Sequence, residues 1–497
     1  MKINRRFFAL VLALVTLVSV CACSGKPAAA PYEPDLDAVM PTIHITTEDG
    51  KYNFITKPVR EDKMADTIEY VGATITVSDC DAQYVITDAE AQVKARGNWT
   101  LNYPKKPIRI KFAEKQGMLG LNEGQEYKNW NLLADWKDLS MSNNTTALFL
   151  AQNILGADGY YVSDFMNVEV YINDGYWGVY LLVEQQEINE GRTSVAECEK
   201  GYTGTDIGYM FEYDAYYRDE RNMPNGGGDP TFEINYGLFA EGWGMPHPDP
   251  YQANGLHGFT VKSDINDDAQ LEFLSSYVQH AYEIMTLAIY KNEHYAFNED
   301  YTDIVPIEGK SVQDTVSQVI DLRSAVDMYL LNEIVCNPDI AWSSFYLTLD
   351  MSENGSKKII YEAPWDYDSC FGMRASTLTT PGTETNEGLY VSRTNNPWLR
   401  LFSDQEWFME LVAQRWNEIK KAGVPDKALA LIEQQKVMYE ADYAENYRRW
   451  NDRIWDGNEE VVPELNTYQK QGDAADFLIR WLTGRFEYLD SQWGTEA

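Results

Sequence analysis

The sequence predicts an α+β protein of two lobes, a β-rich one first and a mainly helical one after it, with a cleft between them. Three observations carry this reading. Up to about residue 200, short runs rich in β-branched and aromatic residues alternate with turn residues. From 264 onward, apolar residues recur at helical spacing over long stretches. Between them, residues 215–260 are crowded with Gly, Pro and Asn and read as a loop-dominated insertion. A chain of 497 residues can bury a large core in one or two domains.

Taken in order, the chain opens on Lys2, Arg5 and Arg6 followed by the apolar run FFALVLALVTLVSV, which has the form of a signal-peptide core rather than a membrane span. VCAC at 20–23, with small Ala22 before Cys23, resembles a bacterial lipobox. Residues 1–23 are thus expected to be a lipoprotein signal peptide with Cys23 lipidated, ordinary signal cleavage nearby being the rival reading. Residues 24–40, rich in Pro and Ala, form a tether. The expectation is an exported protein anchored at the bacterial cell surface through that lipid alone.

The β-rich lobe is expected over 41–186. Its runs include IHITT, TIEYVGATITV, QVKARGN and KKPIRIKF, and VEVYINDGYWGVYLLVE reads as a hairpin turning at Asn173-Asp174-Gly175. One helix is expected from Asp138 to Leu155, with Leu148, Ala151 and Leu155 on one face and Gly156 as its stop. The helical lobe, 187–497, carries Leu271, Leu274, Val278, Ala281, Met285 and Ala288 as one helical face. A second helix is expected from 323, and further helices follow 404.

Composition narrows the function. A formal charge of −36 and a pI near 4.4 argue against nucleic acid as a partner and against charge-driven binding to an anionic membrane. The 33 Tyr and 14 Trp point to a packed core before a sugar-binding surface. Cys80, Cys198, Cys336 and Cys370 allow three full pairings, with buried free thiols the simpler reading, and no CxxC spacing suggests zinc. The five histidines are scattered and form no metal or triad motif.

Chemistry concentrates in YEAPWDYDSCFG, residues 361–372, where Asp366 and Asp368 follow an apolar strand among aromatics. FYLTLD (345–350) and KIIYEAP (358–364) read as a hairpin closed through Asn354-Gly355, which would bring Asp339 beside both aspartates, with Trp342 and Trp365 around them. Three crowded carboxylates call for a cation, and an oxygen-only set favours Mg²⁺ or Mn²⁺. The alternative is a turn-capping Asp366 and a solvated Asp368. In KKPIRIKF, Arg109 and Lys111 share one strand face and Ile108, Ile110 and Phe112 the other. Two cations on one face hint at an anion, surface charge being the plainer alternative. A cationic strand opposite an acidic metal site is the layout of a phosphoryl-transfer cleft.

Five segments then resemble the CotH family, named for a spore-coat protein: KARGNWTLNYPKKPIRIKF (94–112), NWNLLADWKDLSMSNNTTALFLAQNI (129–154), VEVYINDGYWGVYLLVEQQE (168–187), DMYLLNEIVCNPDIAWSSFYLTLD (327–350) and APWDYDSCFG (363–372). The resemblance implies a divergent, bilobal protein-kinase-like fold and ATP-dependent transfer of phosphate, with Mg²⁺ or Mn²⁺, to Ser or Thr of a secreted, surface or coat protein. It implies Asp339 as the residue that orients the acceptor hydroxyl and takes its proton. Asp366 would be the metal ligand, with Asp368 in support. Lys111, or Arg109, would hold the ATP phosphates, and Glu184 with Gln185-Gln186 would meet adenine. Two departures stand out. Ser344 occupies the place of an Asn that holds a second metal ion, and the helix from 138 to 155 has no Glu to pair a strand lysine. A scaffold with a weakened metal site is therefore the alternative function. Glycoside hydrolysis is a third, for which these aspartates lack a partner suited to the acid role.

Overall fold

The structure, a computed structural model, describes residues 39–57, 68–193, 195–221, 228–242, 256–377, 381–454 and 460–495. The expected signal peptide, Cys23 and nearly all of the tether lie outside these residues. Among the described residues no helix is long and apolar enough to cross a membrane.

The class is α+β, with twelve helices among the described residues, and the first half closes into a barrel rather than showing a clear two-lobed kinase layout. Its strands are β1 (Thr42–Thr47), β2 (Val71–Ser78), β3 (Ile86–Ala95), β4 (Ile108–Gln116), β5 (Tyr127–Leu133), β6 (Phe165–Ile172) and β7 (Gly175–Glu184), in the order β1-β2-β3-β4-β5-β7-β6. All neighbours are antiparallel except β1 and β6, whose parallel pairing from Thr42↔Glu169 to Ile45↔Ile172 shuts the barrel. The period-two pattern seen in the sequence is the reason the barrel has a dry interior. Ile43, Ile45, Ile75, Val77, Val93, Ile108, Ile110, Trp130, Leu132, Val168, Val170 and Leu182 all point inward and are fully buried. Each such side chain contributes roughly 1.5–3 kcal/mol on leaving water, and the four cysteines of the folded part remain free thiols. The expected β6–β7 turn is present, with Asn173 and Asp174 both left-handed (φ 47° and 63°).

β7 is buried on both faces: Tyr180 and Leu182 enter the barrel, while Leu181 and Val183 face the second core. That core is built on helix α1 (Asn143–Ile154) and on α2 (Asp268–Lys291), α3 (Leu322–Val335), α4 (Glu406–Lys421), α5 (Val424–Met438) and α7 (Gln471–Trp493), while α6 (Glu440–Ile454) sends Trp450 to the barrel core and Tyr443 to a small separate cluster. α1 starts five residues later than expected because the Asp138 carboxylate is a terminator. It accepts from the backbone N–H of Ser140, Ser142 and Asn143 and from the Ser140 hydroxyl. The tail beyond 404 is helical as expected, and its stretch 427–450 is divided between α5 and α6, broken at Tyr439 (φ −106°, ψ 23°).

A five-stranded sheet completes the fold, ordered β14-β13-β8-β10-β9 with β8 (Gly208–Asp214), β9 (Thr231–Phe232), β10 (Gly258–Val261), β13 (Phe345–Asp350) and β14 (Ile359–Tyr361); β11 (Tyr295–Phe297) and β12 (Ile304–Pro306) form a separate pair. The 215–260 stretch is thus more than a loop. Its described parts supply β9 and β10, whose Phe232 and Phe259 stack at 4.8 Å in the core. Residues 222–227 and 243–255 lie outside the described residues.

Candidate active site

A cleft of about 790 Å³ runs between the outer wall of the barrel and the second sheet with its loops. Its floor carries Asp339, Asp366 and Asp368, one carboxylate oxygen of each lying within 4.8 Å of the others. The hairpin β13–β14 (Leu347↔Tyr361) delivers them as the sequence suggested, by setting the segment before β13 beside the segment after β14. Asn337 fastens the two: its Oδ1 accepts from the Asp339 N–H at 2.9 Å and its Nδ2 donates to the Asp366 carbonyl at 3.4 Å. α3 ends just before, on left-handed Cys336 (φ 52°). Asp366 is itself left-handed (φ 63°), a conformation that Asp tolerates better than most residues.

The first turn of α1 holds the other side of this loop. Asn144 Oδ1 accepts from the Tyr367 N–H at 2.9 Å and its Nδ2 donates to Asp135 at 2.7 Å. Lys137 reaches into the carboxylates, 3.0 Å from Asp368 Oδ1 and 2.6 Å from the Ser369 hydroxyl. Burial pulls its ammonium down, but Asp368, Asp339 and Asp366 outweigh that and hold it well above the usual lysine value. Burial, then Asp368 and Asp339, push the Asp366 carboxyl well above the ordinary range. Asp339 is raised by burial and by Asp368, against the pull of Lys137. Three carboxylates and one ammonium leave a formal excess of two negative charges.

Across the cleft stands a guanidinium wall. Arg96 lies 5.4 Å from the Trp365 ring centroid, and burial with the neighbouring Arg109 pulls it down to about 10, so it stays charged at neutral pH. Arg109 donates to Gln185 Oε1 at 2.7 Å, and the Nε of both arginines has no hydrogen-bond partner among the described residues. Both side chains line the cleft, and guanidinium groups there suit a polyanion.

The other residues singled out in the sequence fall as follows. Ser344 lines the cleft with φ 62°, its N–H donating to Glu212 Oε1 at 2.6 Å. Lys111 shares the outward face with Arg109 but is exposed and outside the cleft lining, because two residues along a strand is roughly 6.6 Å farther from the open end. Glu184 does not face the cleft either. It is 1 % exposed, its carboxylate taken up by Arg192 Nε, Asn122 Nδ2 and the Asp164 N–H. Gln185 and Gln186 do line the cleft. Arg96, Lys137 and Asn144 were not singled out. Each stands in a segment that resembles the family, and only tertiary contacts with the 365–369 loop give it a place here.

An acidic oxygen-donor cluster facing guanidinium groups across an open cleft defines a class of site suited to polyanions held with a hard cation. The comparison with known families gives the particular one. The family model described as CotH kinase protein matches residues 93–489, and the chain belongs to that family. A search of curated proteins finds no match.

Proposed function

We propose that this protein is an exported, surface-anchored kinase that transfers the γ-phosphoryl group of ATP to a Ser or Thr hydroxyl of a secreted, surface or coat protein. The observation that carries the reading is the convergence of Asp339, Asp366 and Asp368 opposite Arg96 and Arg109 in one cleft. The donor set fits a divalent cation: all oxygen, compact, and two negative charges in excess. Asp366 and Asp368 would hold Mg²⁺ or Mn²⁺, with Ser344 available as a further oxygen donor. When bound, the cation neutralises negative charge on the phosphates.

The protein's own groups do the rest. Arg96 and Arg109, in place of Lys111, grip phosphate oxygens bidentately. Asp339 accepts a hydrogen bond from the acceptor hydroxyl, orients it in line and takes its proton as the new O–P bond forms. The bond from γ-phosphorus to the β–γ bridging oxygen breaks, and ADP leaves. Lys137 pairs with Asp368 and holds it in place. Positioning and electrostatics supply the catalysis.

The test is to incubate residues 41–497 with radiolabelled ATP, Mn²⁺ and an acceptor protein, with Asp366→Asn and Asp339→Asn alongside. Transfer by the wild type that falls at least about 100-fold in either variant is expected. No transfer, together with no thermal shift on adding ATP and Mn²⁺, would leave the assembly-scaffold reading that Ser344 favours.

A further inference from the structure

In a chain of net charge −36, the outer face of β3, β4 and β5 at the cleft is cationic. The strand register sets out its rows. Lys94, Arg109 and Asn131 lie side by side in one row, and Gln92, Lys111 and Asn129 in the next. Arg96 stands one row the other way, against Trp365, with its N–H donating to the Pro107 carbonyl at 3.0 Å. These rows hold cations and neutral amides and not one carboxylate. Like charges directly opposite, as Lys94 and Arg109 are, repel and cost stability. The ammoniums of Lys94 and Lys111 also gather over a single Tyr70 ring, 4.9 and 5.8 Å from its centroid. Glu187, which shares the cleft lining, is taken up by Arg192, Asn129 and Asn189. Lys111 is exposed, and Lys94, Arg96 and Arg109 are only half-buried, so the rows meet solvent.

We propose that this face binds a phosphoanhydride chain longer than a nucleotide carries, and that inorganic polyphosphate is a second phosphoryl donor for the site. The inference deepens the phosphoryl-transfer reading above and rests on it. Rows on one strand face repeat at roughly 6.6 Å, so Arg96 to Lys111 covers roughly 13 Å, about twice the span of the phosphorus atoms in a triphosphate. Arg96 and Arg109 suffice for ATP, because an uncharged nucleoside follows its α-phosphate. Lys94 and Lys111 then have no part in holding it. A polyphosphate carries negative charge on every phosphate, so its charge continues past Arg109 to the row of Lys111. Cations massed on one cleft wall focus the field there against the acidic surface elsewhere. The chemistry balances as it does for ATP. The acceptor oxygen bonds to the terminal phosphorus, and its proton passes to Asp339. The bond from that phosphorus to the first bridging oxygen breaks, the electron pair stays on the oxygen, and a chain shorter by one phosphate leaves.

Titration calorimetry on the purified chain in Mg²⁺, at an ionic strength of about 0.1 M, compares MgATP, tripolyphosphate and a polyphosphate of about ten phosphates. The longer chain is expected to bind at least about 30-fold more tightly than tripolyphosphate, more than its extra overlapping placements supply. Lys94→Gln combined with Lys111→Gln is expected to remove at least about tenfold of that advantage and to leave MgATP within about twofold. Melting curves confirm folding, and Lys111→Gln alone carries the comparison if the double variant fails to fold. Labelled polyphosphate is expected to mark Ser or Thr of the acceptor protein, and Asp339→Asn to abolish the label. A long chain bound no more tightly than tripolyphosphate overturns the proposal. So does an equal loss of MgATP and polyphosphate in the lysine variants, or a single-stranded oligodeoxynucleotide of matched charge that binds as tightly, since the wall would then read charge alone. Transfer from ATP with none from polyphosphate overturns this inference and spares the kinase reading. Transfer from polyphosphate with none from ATP overturns ATP as the donor and spares this one. No transfer from either removes both.

Discussion

Lys137 and Asp366 are where charge decides behaviour. The ammonium of Lys137 sits 3.0 Å from Asp368, and Lys137→Met leaves that buried carboxylate uncompensated. We expect a loss of about 3 kcal/mol in stability without metal, largely recovered in millimolar Mn²⁺, measured as melting temperature with and without the ion; equal loss in both conditions would argue that no cation enters the cluster. Asp366 gives a pH signature. Its folded-state value is raised well above that of the unfolded chain, so between the two values the folded state binds more protons and the carboxyl costs stability as pH rises. In EDTA, Asp366→Asn is therefore expected to melt above the wild type at pH 8, the gap narrowing toward pH 4. Saturating Mn²⁺ should reverse the order. The three aspartates were legible in the sequence because a hairpin with a marked turn sets their segments side by side. Arg96 was not, since its place depends on Trp365, far along the chain, and nothing local distinguishes it from a surface arginine.

Element boundaries follow hydrogen bonds that periodicity does not register. The face Leu148-Ala151-Leu155 announces α1, but its start at Asn143 is set by Asp138, whose bonds to three backbone N–H groups are chemistry, not pattern. The same first turn braces the metal-type loop through Asn144. Asn144→Ala leaves Asp135 and the Tyr367 N–H short of a partner inside the protein, at a cost of about 2 kcal/mol. Phosphate transfer is expected to fall 10- to 100-fold, as displacement of a positioned group commonly does. An unchanged rate in a folded variant would mean that Asn337 alone fixes the Asp366 loop. The β9–β10 contribution to the second sheet was hidden for a different reason: Gly and Pro dominate the composition of 215–260, and strands of two and four residues are too short to show alternation through it.

Over the whole molecule, the α+β class and the order of β-rich and helical halves were readable from the period of the apolar residues alone. Closure of the barrel was not, because an inward-outward alternation is the same in an open sheet and in a closed one. A net charge of −36 repels itself across this surface. Raising NaCl from about 10 to about 200 mM shortens the Debye length from roughly 30 to under 10 Å, and the melting temperature is expected to rise with it; a flat response would mean that the local ion pairs already balance the field. The parallel seam between β1 and β6 carries a further consequence. Its strands stand more than a hundred residues apart in the chain, so β1 leaves the ribosome long before its partner exists, and until then β1 has a bare flank. A nascent chain in that interval presents an unsheltered edge to any other copy beside it. Deleting residues 39–47 would bare β2 and β6 permanently, yielding a chain prone to stacking edge to edge into insoluble polymer.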